Sequence, residues 1–305
     1  MKQMMTLIRR ELIENRSGWA VPAAFGALFV VAALAAVFGL VRVGVMDQSM
    51  TLAEMGQELD PSSIYPALLV LFMPIAVVLV VAMTFVVFFY FLDALYAERK
   101  DRSILFWKSL PVSDLQVVGS KYLTGVAAIP VLTVGVFLVT AFLVWLIGGL
   151  ALLWAGSGAA LQGGPAALAR ATAIMVYMLL VQVLWFAPIH GWLLLVSAFA
   201  RRAVLGWVLA PPALLIVAEK ILLGTRHFAD TIGHRLVGGF QLAFSNEQHA
   251  MIMESDGAVI SSFPALGEFL TPGRFLAAPS LWAGIVVGVI FLAGAVWLRR
   301  WRDES

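Results

Sequence analysis

The residues of this chain that could do chemistry are few, and they fall into three groups. The first is a charged block, Glu98, Arg99, Lys100, Asp101 and Arg102, with Lys108 and Asp114 further on, wedged between two long hydrophobic runs. Inside it, Ile104 to Trp107 is apolar and suits a membrane interface, where tryptophan is favoured. Pro111 breaks the chain, and Ser113 followed by Gln116 has the spacing of a capping box that starts a new helix. A short amphipathic segment held at a membrane face suits docking to a soluble partner. The second group is polar residues within apolar runs: Gln182 and His190, with Pro188 and Gly191 nearby, and Glu219 and Lys220. Polar groups are costly in hydrocarbon, so each is a candidate gate or substrate contact. The plainer roles are hydrogen bonding between helices for Gln182 and His190, and pairing with Arg226 or its loop for Glu219 and Lys220. Asp93 ends its run, where Arg99 or Lys121 could pair with it. The third group is His227 and His234 with Asp230 between them. A third ligand at convincing spacing is missing, so no metal site is expected.

What the residues exclude is as useful. The pattern G-x-x-x-x-G-K-[ST] does not occur, and Gly119-Ser120-Lys121 lacks the upstream glycine, so a phosphate-binding loop is not expected. The G-x-S-x-G and H-E-x-x-H patterns are missing too. The chain has no cysteine, which removes thiolate chemistry. No catalytic residue, resident cofactor or metal is therefore expected. The net charge of +2 gives no reason to expect a nucleic-acid partner.

The elements that must position these residues are membrane spans. The chain is 62% hydrophobic and only 12% charged, against about a quarter charged in soluble domains. A span needs about 20 apolar residues. Six runs qualify: Gly18 to Val41, Ile64 to Leu92, Tyr122 to Leu150, Ala171 to Phe199, Ala203 to Leu223 and Pro279 to Leu298. Pro188 is expected to kink the fourth. Only Arg201 and Arg202 separate the fourth from the fifth, which predicts a tight hairpin. Most of the Lys and Arg residues fall on one side if both termini are cytoplasmic. Residues 1–16 place Met1, Met4, Met5, Ile8 and Leu12 on one helical face and Lys2, Arg9 and Arg16 on the other. This predicts a retained helix lying flat against membrane lipid. On the outer side, residues 44–63 are acidic. Residues 224–278 form a long loop with apolar patches, Leu236 to Phe244 and Ala258 to Leu266, that predict short helices partly re-entering the membrane. The expected fold is an all-α membrane protein of one domain, residues 1–305, with six transmembrane helices.

Two stretches carry a family resemblance. Residues 98–125, ERKDRSILFWKSLPVSDLQVVGSKYLTG, look like the loop after the second transmembrane helix of ABC-2 type permeases. Residues 187–228, APIHGWLLLVSAFARRAVLGWVLAPPALLIVAEKILLGTRHF, resemble the fourth and fifth helices of a bacterial subgroup of that family. The resemblance implies a type V ABC exporter half, multi-pass in the bacterial cytoplasmic (inner) membrane. It implies pairing with a second permease, identical or related, and with a separate ABC ATP-binding subunit that holds ATP and Mg. It also implies a cytoplasmic coupling helix within residues 98–121. Phe106, Trp107, Leu110 and Pro111 would be its apolar contacts, and Glu98, Arg99, Lys100, Arg102 and Asp114 its charged rim, with Lys108 and Ser113 in the same segment. The other readings of the sequence are an ion-gradient-driven secondary transporter and a membrane anchor for a soluble complex. The first usually shows repeated halves and mid-membrane charges, which are not evident here.

Overall fold

The computed structural model describes residues 2–38, 43–45, 48–50, 61–101, 112–154, 163–244 and 270–301. Among the described residues, six helices are long and apolar enough to cross a membrane. Helix α1 (Lys2–Glu14) leads into α2 (Ser17–Val37). A two-stranded antiparallel hairpin follows, β1 (Val43–Val45) on β2 (Gln48–Met50), with Val43 opposite Met50. The sequence reading has no strand there, so this hairpin amends it. Next come α3 (Pro61–Asp93) and the one-turn helix α4 (Tyr96–Lys100). Helix α5 (Asp114–Leu123) passes through a π-helical turn, Thr124–Ala128, into α6 (Ile129–Trp154). Helices α7 (Gly164–Trp185), α8 (Ala187–Phe199) and α9 (Val204–Leu222) follow. The last are α10 (His227–Ala243), α11 (Pro272–Ala277) and α12 (Pro279–Trp301).

The fold departs from the expected fourth span in an informative way. The run Ala171 to Phe199 is not one helix. It breaks at Phe186, between α7 and α8. Pro188 has no N–H, so the carbonyl of Leu184 loses its helical donor. The 13 residues of α8 are too few to cross a bilayer alone. The two halves nonetheless run together along α3. Arg170 reaches the Tyr65 hydroxyl near one end, Gln182 binds Thr84, His190 packs on Phe91, and Ser197 binds the backbone of Leu95. Pairs in that order mean the α7–α8 unit runs parallel to α3.

Helix α3 is the centre of the bundle. Phe72, Ile75, Leu79, Met83, Val87 and Phe91 are its buried stripe, at the three- and four-residue spacing of one helical face. Val70, Val77, Val81, Phe85 and Phe89 lie exposed on its opposite side. The same inversion marks α9, whose Leu214, Leu215, Val217 and Ile221 are all exposed. Apolar residues facing outward along whole helices fit hydrocarbon as the surrounding solvent. Small residues let helices approach. On α12, a Cβ at Gly288 would lie 2.7 Å from the carbonyl oxygen of Ala187. On α8, a Cβ at Gly191 would lie 2.6 Å from the carbonyl oxygen of Gly288. The α8–α12 crossing is thus backbone against backbone, the type of contact that small residues permit in membranes.

Candidate functional site: a charged end of the bundle

Five helices meet at one end of the bundle through a chain of alternating charges. On α1, Glu11 is buried and accepts from two donors. Its Oε1 lies 2.7 Å from Lys121 Nζ of α5, and its Oε2 accepts from the Tyr90 hydroxyl of α3 at 3.1 Å. Lys121 also pairs with Glu98 Oε1 of α4 at 3.0 Å. The other oxygen of Glu98 accepts from Arg299 Nη1 of α12. Arg299 Nε in turn donates to Asp114 Oδ1 at the start of α5, at 3.1 Å. The sequence Tyr90, Glu11, Lys121, Glu98, Arg299, Asp114 is therefore continuous. Glu11, Glu98, Lys121 and Arg299 are all buried, while Asp114 keeps partial access. Removing one partner from such a buried pair strands the other charge and costs about 3–5 kcal/mol.

The local structure explains how these groups are held. The Ser113 hydroxyl accepts from the Gln116 N–H, and the Gln116 side chain accepts from the Ser113 N–H. This is the capping box read from the sequence, and it starts α5 at Asp114. Arg99 turns away from the ion chain. Its guanidinium donates to the carbonyls of Ser197 and, at 2.8 Å, Ala200, covering the C-terminus of α8. The Ser197 hydroxyl accepts from the N–H groups of Leu95 and Tyr96, both at 3.0 Å, and so caps the start of α4. Helices α4 and α8 thus cap each other. The pairing expected for Asp93 is not what the basic residues adopt. Lys121 goes to Glu11 and Glu98, and Arg99 goes to α8.

Among the docking residues named from sequence, Glu98, Arg99, Ser113 and Asp114 stand at this end of the bundle. Lys100 is exposed beside them. Arg102, Phe106, Trp107, Lys108, Leu110 and Pro111 lie outside the described residues. A cleft of about 410 Å³ opens where that segment rejoins α5, lined by Val112, Ser113, Asp114, Leu115, Val117, Val296, Arg299 and Arg300. Helix α1 packs along α5 and the π-helical turn, with Met4 against Gly119. Met5 and Ile13 point outward, exposed. Sequence reasoning missed Glu11, Tyr90 and Arg299. Lys121 was a signal, because a lone cation entering an apolar helix needs a carboxylate. Glu11, Glu14, Asp93, Glu98 and Asp101 were all available, and only the fold chooses among them.

The other candidates lie apart from this end. Gln182 donates from Nε2 to the Thr84 hydroxyl at 2.7 Å, tying α7 to α3. His190 is buried between the rings of Phe91 and Phe186. Glu219 accepts from the Thr225 hydroxyl at 2.7 Å and from the N–H groups of His227 and Phe228 at 2.7 and 2.8 Å. It therefore caps the N-terminus of α10, where a negative group is favoured. Lys220 is exposed. His234 meets the Trp185 ring edge to face at 5.4 Å.

A second polar knot fixes α10, and it too was missed. Arg235 lies 4.4 Å from the centre of the Trp185 ring, and donates to the carbonyls of Ser280, at 2.7 Å, and Trp185, at 3.3 Å. Trp185 answers by donating Nε1–H to the Arg235 carbonyl at 2.8 Å. The knot sits at the α7–α8 break. Twelve residues of chain separate Trp185 from Ser197, about 18 Å at helical rise. It is therefore well along the bundle from the charged end.

Six long apolar helices, outward-facing hydrophobic stripes and a charged end define a multi-pass membrane protein. Residues 61–201, a little under half of the chain, match the family model described as ABC-2 family transporter protein. Over those residues the chain is similar to the membrane domain of ABC-2 family transporters, which supports the resemblance read from the sequence. Neither a curated protein nor a solved structure matches the chain.

Proposed function

We propose that this chain is the permease subunit of an ATP-driven exporter. Two permease subunits pair, and a separate ATP-binding subunit docks on residues 98–121 of each. ATP and Mg bind the ATPase and not this chain. Closure of the ATPases pushes on the docking segment and shifts the permease between inward- and outward-facing states. Both termini lie in the cytoplasm of a bacterial cell, and substrate leaves across the inner membrane. The observation that carries this reading is the family match over the residues that contain the segment. The buried ion chain supports it, because both flanks of that segment are anchored to the rest of the bundle. A gradient-driven carrier has no use for an anchored docking segment, and neither has a passive anchor.

Mild-detergent purification of the tagged chain from its native membrane tests the reading. A near-stoichiometric ATP-binding subunit with measurable hydrolysis is expected. The double variant Trp107→Ala, Pro111→Ala is expected to fold and assemble but to weaken the permease's effect on ATP hydrolysis. A folded chain that purifies alone, or a double variant with unchanged hydrolysis and transport, would overturn the docking assignment.

A further inference from the structure

Helices α4 and α5 are joined in the chain by residues 102–111, and one side chain contacts both of these helices. The guanidinium of Arg299 donates from Nη1 to Glu98 on α4 and from Nε to Asp114 on α5. Arg299 belongs to neither flank. It sits near the end of α12, which packs chiefly on α8 and also touches α7. Lys121 closes the same loop a second time, by joining Glu98 to Glu11 of α1. The planar fork of arginine suits this geometry, since two of its nitrogens point at two carboxylates at once, whereas a lysine ammonium is a point charge on a flexible stem.

We propose that Arg299 is a positioning residue that staples the two flanks of the docking segment and makes α12 part of the coupling path. This rests on the permease reading above and extends it. A push on the segment reaches α3 through α4, and α6 through α5. Through Arg299 it also reaches α12 and, by the backbone-close crossing at Gly288 and Gly191, the broken span α7–α8. Glu98 is the shared node, because its two oxygens serve Lys121 and Arg299 separately.

Two measurements test the staple, with Arg299→Lys chosen because it keeps the charge and loses the fork. The first uses the full chain alone. Spin labels on Lys100→Cys and Leu115→Cys, in a sequence with no other cysteine, report the separation of the flanks. The Arg299→Lys variant is expected to melt close to the parent yet to give a clearly broader distance distribution. An unchanged distribution overturns the staple whatever the transporter does. The second measurement uses the complex with the co-purifying ATP-binding subunit. Arg299→Lys is expected to assemble but to lose about tenfold of the permease-dependent change in ATP hydrolysis, the scale of one charge-assisted hydrogen bond. Arg10→Ala, which removes an exposed pair with Glu14, is expected to retain it. If the parent chain changes hydrolysis and Arg299→Lys changes it equally, the coupling role of Arg299 is overturned and the permease reading stands. If the parent chain has no effect on hydrolysis, the permease reading falls and takes the coupling role with it, while the distance measurement still judges the staple.

Discussion

At the scale of single residues, the polar groups of this protein mainly tie helices together. Gln182 and Glu219 interrupt apolar runs, which makes each a candidate gate in the sequence, with bonding between helices or to the outer loop as the plainer role. In the fold Gln182 joins α7 to α3, and Glu219 caps α10. Arg235 carries the clearest residue-level prediction. It bonds two carbonyls and covers the Trp185 ring, so Arg235→Ala removes both contacts and leaves the ring face bare. Each hydrogen bond to a charged donor is worth about 1.5–3 kcal/mol. Arg235→Ala is expected to lower the melting temperature in detergent and to speed proteolysis of residues 224–278. Arg235→Lys is expected to restore little, because one ammonium cannot stack on the ring and reach both carbonyls. Full rescue by lysine would show that charge alone is needed. The Ser113–Gln116 box was legible because its bonds are local, with the signal and its partner three residues apart. Arg235 was not, because Trp185 lies 50 residues away and nothing in the local pattern links them.

At the scale of elements, the hydrophobic runs located the helices well, since span length follows bilayer thickness and needs no tertiary knowledge. Boundaries drifted where polar residues continue a helix beyond the hydrocarbon, as in α5, which begins at Asp114 and not at Tyr122. The split of the fourth span followed from Pro188, read as a kink. The π-helical turn at Thr124–Ala128 had no comparable signal. It lies at a tertiary contact, where the Phe91 ring packs so closely on Gly125 that a Cβ there would sit 2.2 Å from it. The α8–α12 crossing yields a prediction of the same kind. Gly191 and Gly288 each face backbone atoms that cannot move aside, so alanine at either must push the helices apart. A loss of about 1–3 kcal/mol is expected, the usual cost of overpacking. Gly135→Ala and Gly148→Ala, with nothing within 4 Å of the added carbon, serve as controls and are expected to melt like the parent. Equal melting of all four variants would mean that the crossing is looser than drawn.

At the scale of the whole molecule, the contacts themselves sort the charges. Glu11, Tyr90, Glu98, Asp114, Lys121 and Arg299 touch one another, and Arg99 binds the carbonyl just before Arg201 and Arg202. Arg99, Lys121, Arg201, Arg202 and Arg299, which the sequence assigned to one side of the membrane, are thus gathered at one end of the bundle. Two independent lines converge here: the asymmetry of Lys and Arg along the chain, and the packing that brings helix ends together. The asymmetry rule predicts that this end faces the cytoplasm, and labelling from one face tests that prediction directly. The chain has no cysteine, so single cysteines report cleanly. In intact cells a membrane-impermeant maleimide is expected to spare Lys100→Cys and Leu115→Cys, both exposed at the charged end. It is expected to label Trp154→Cys, exposed at the far end of α6. In inside-out vesicles the pattern should reverse. Labelling of Lys100→Cys in intact cells would invert the topology and remove the docking segment from the side where ATP is made available, so this experiment bears on the whole reading at once.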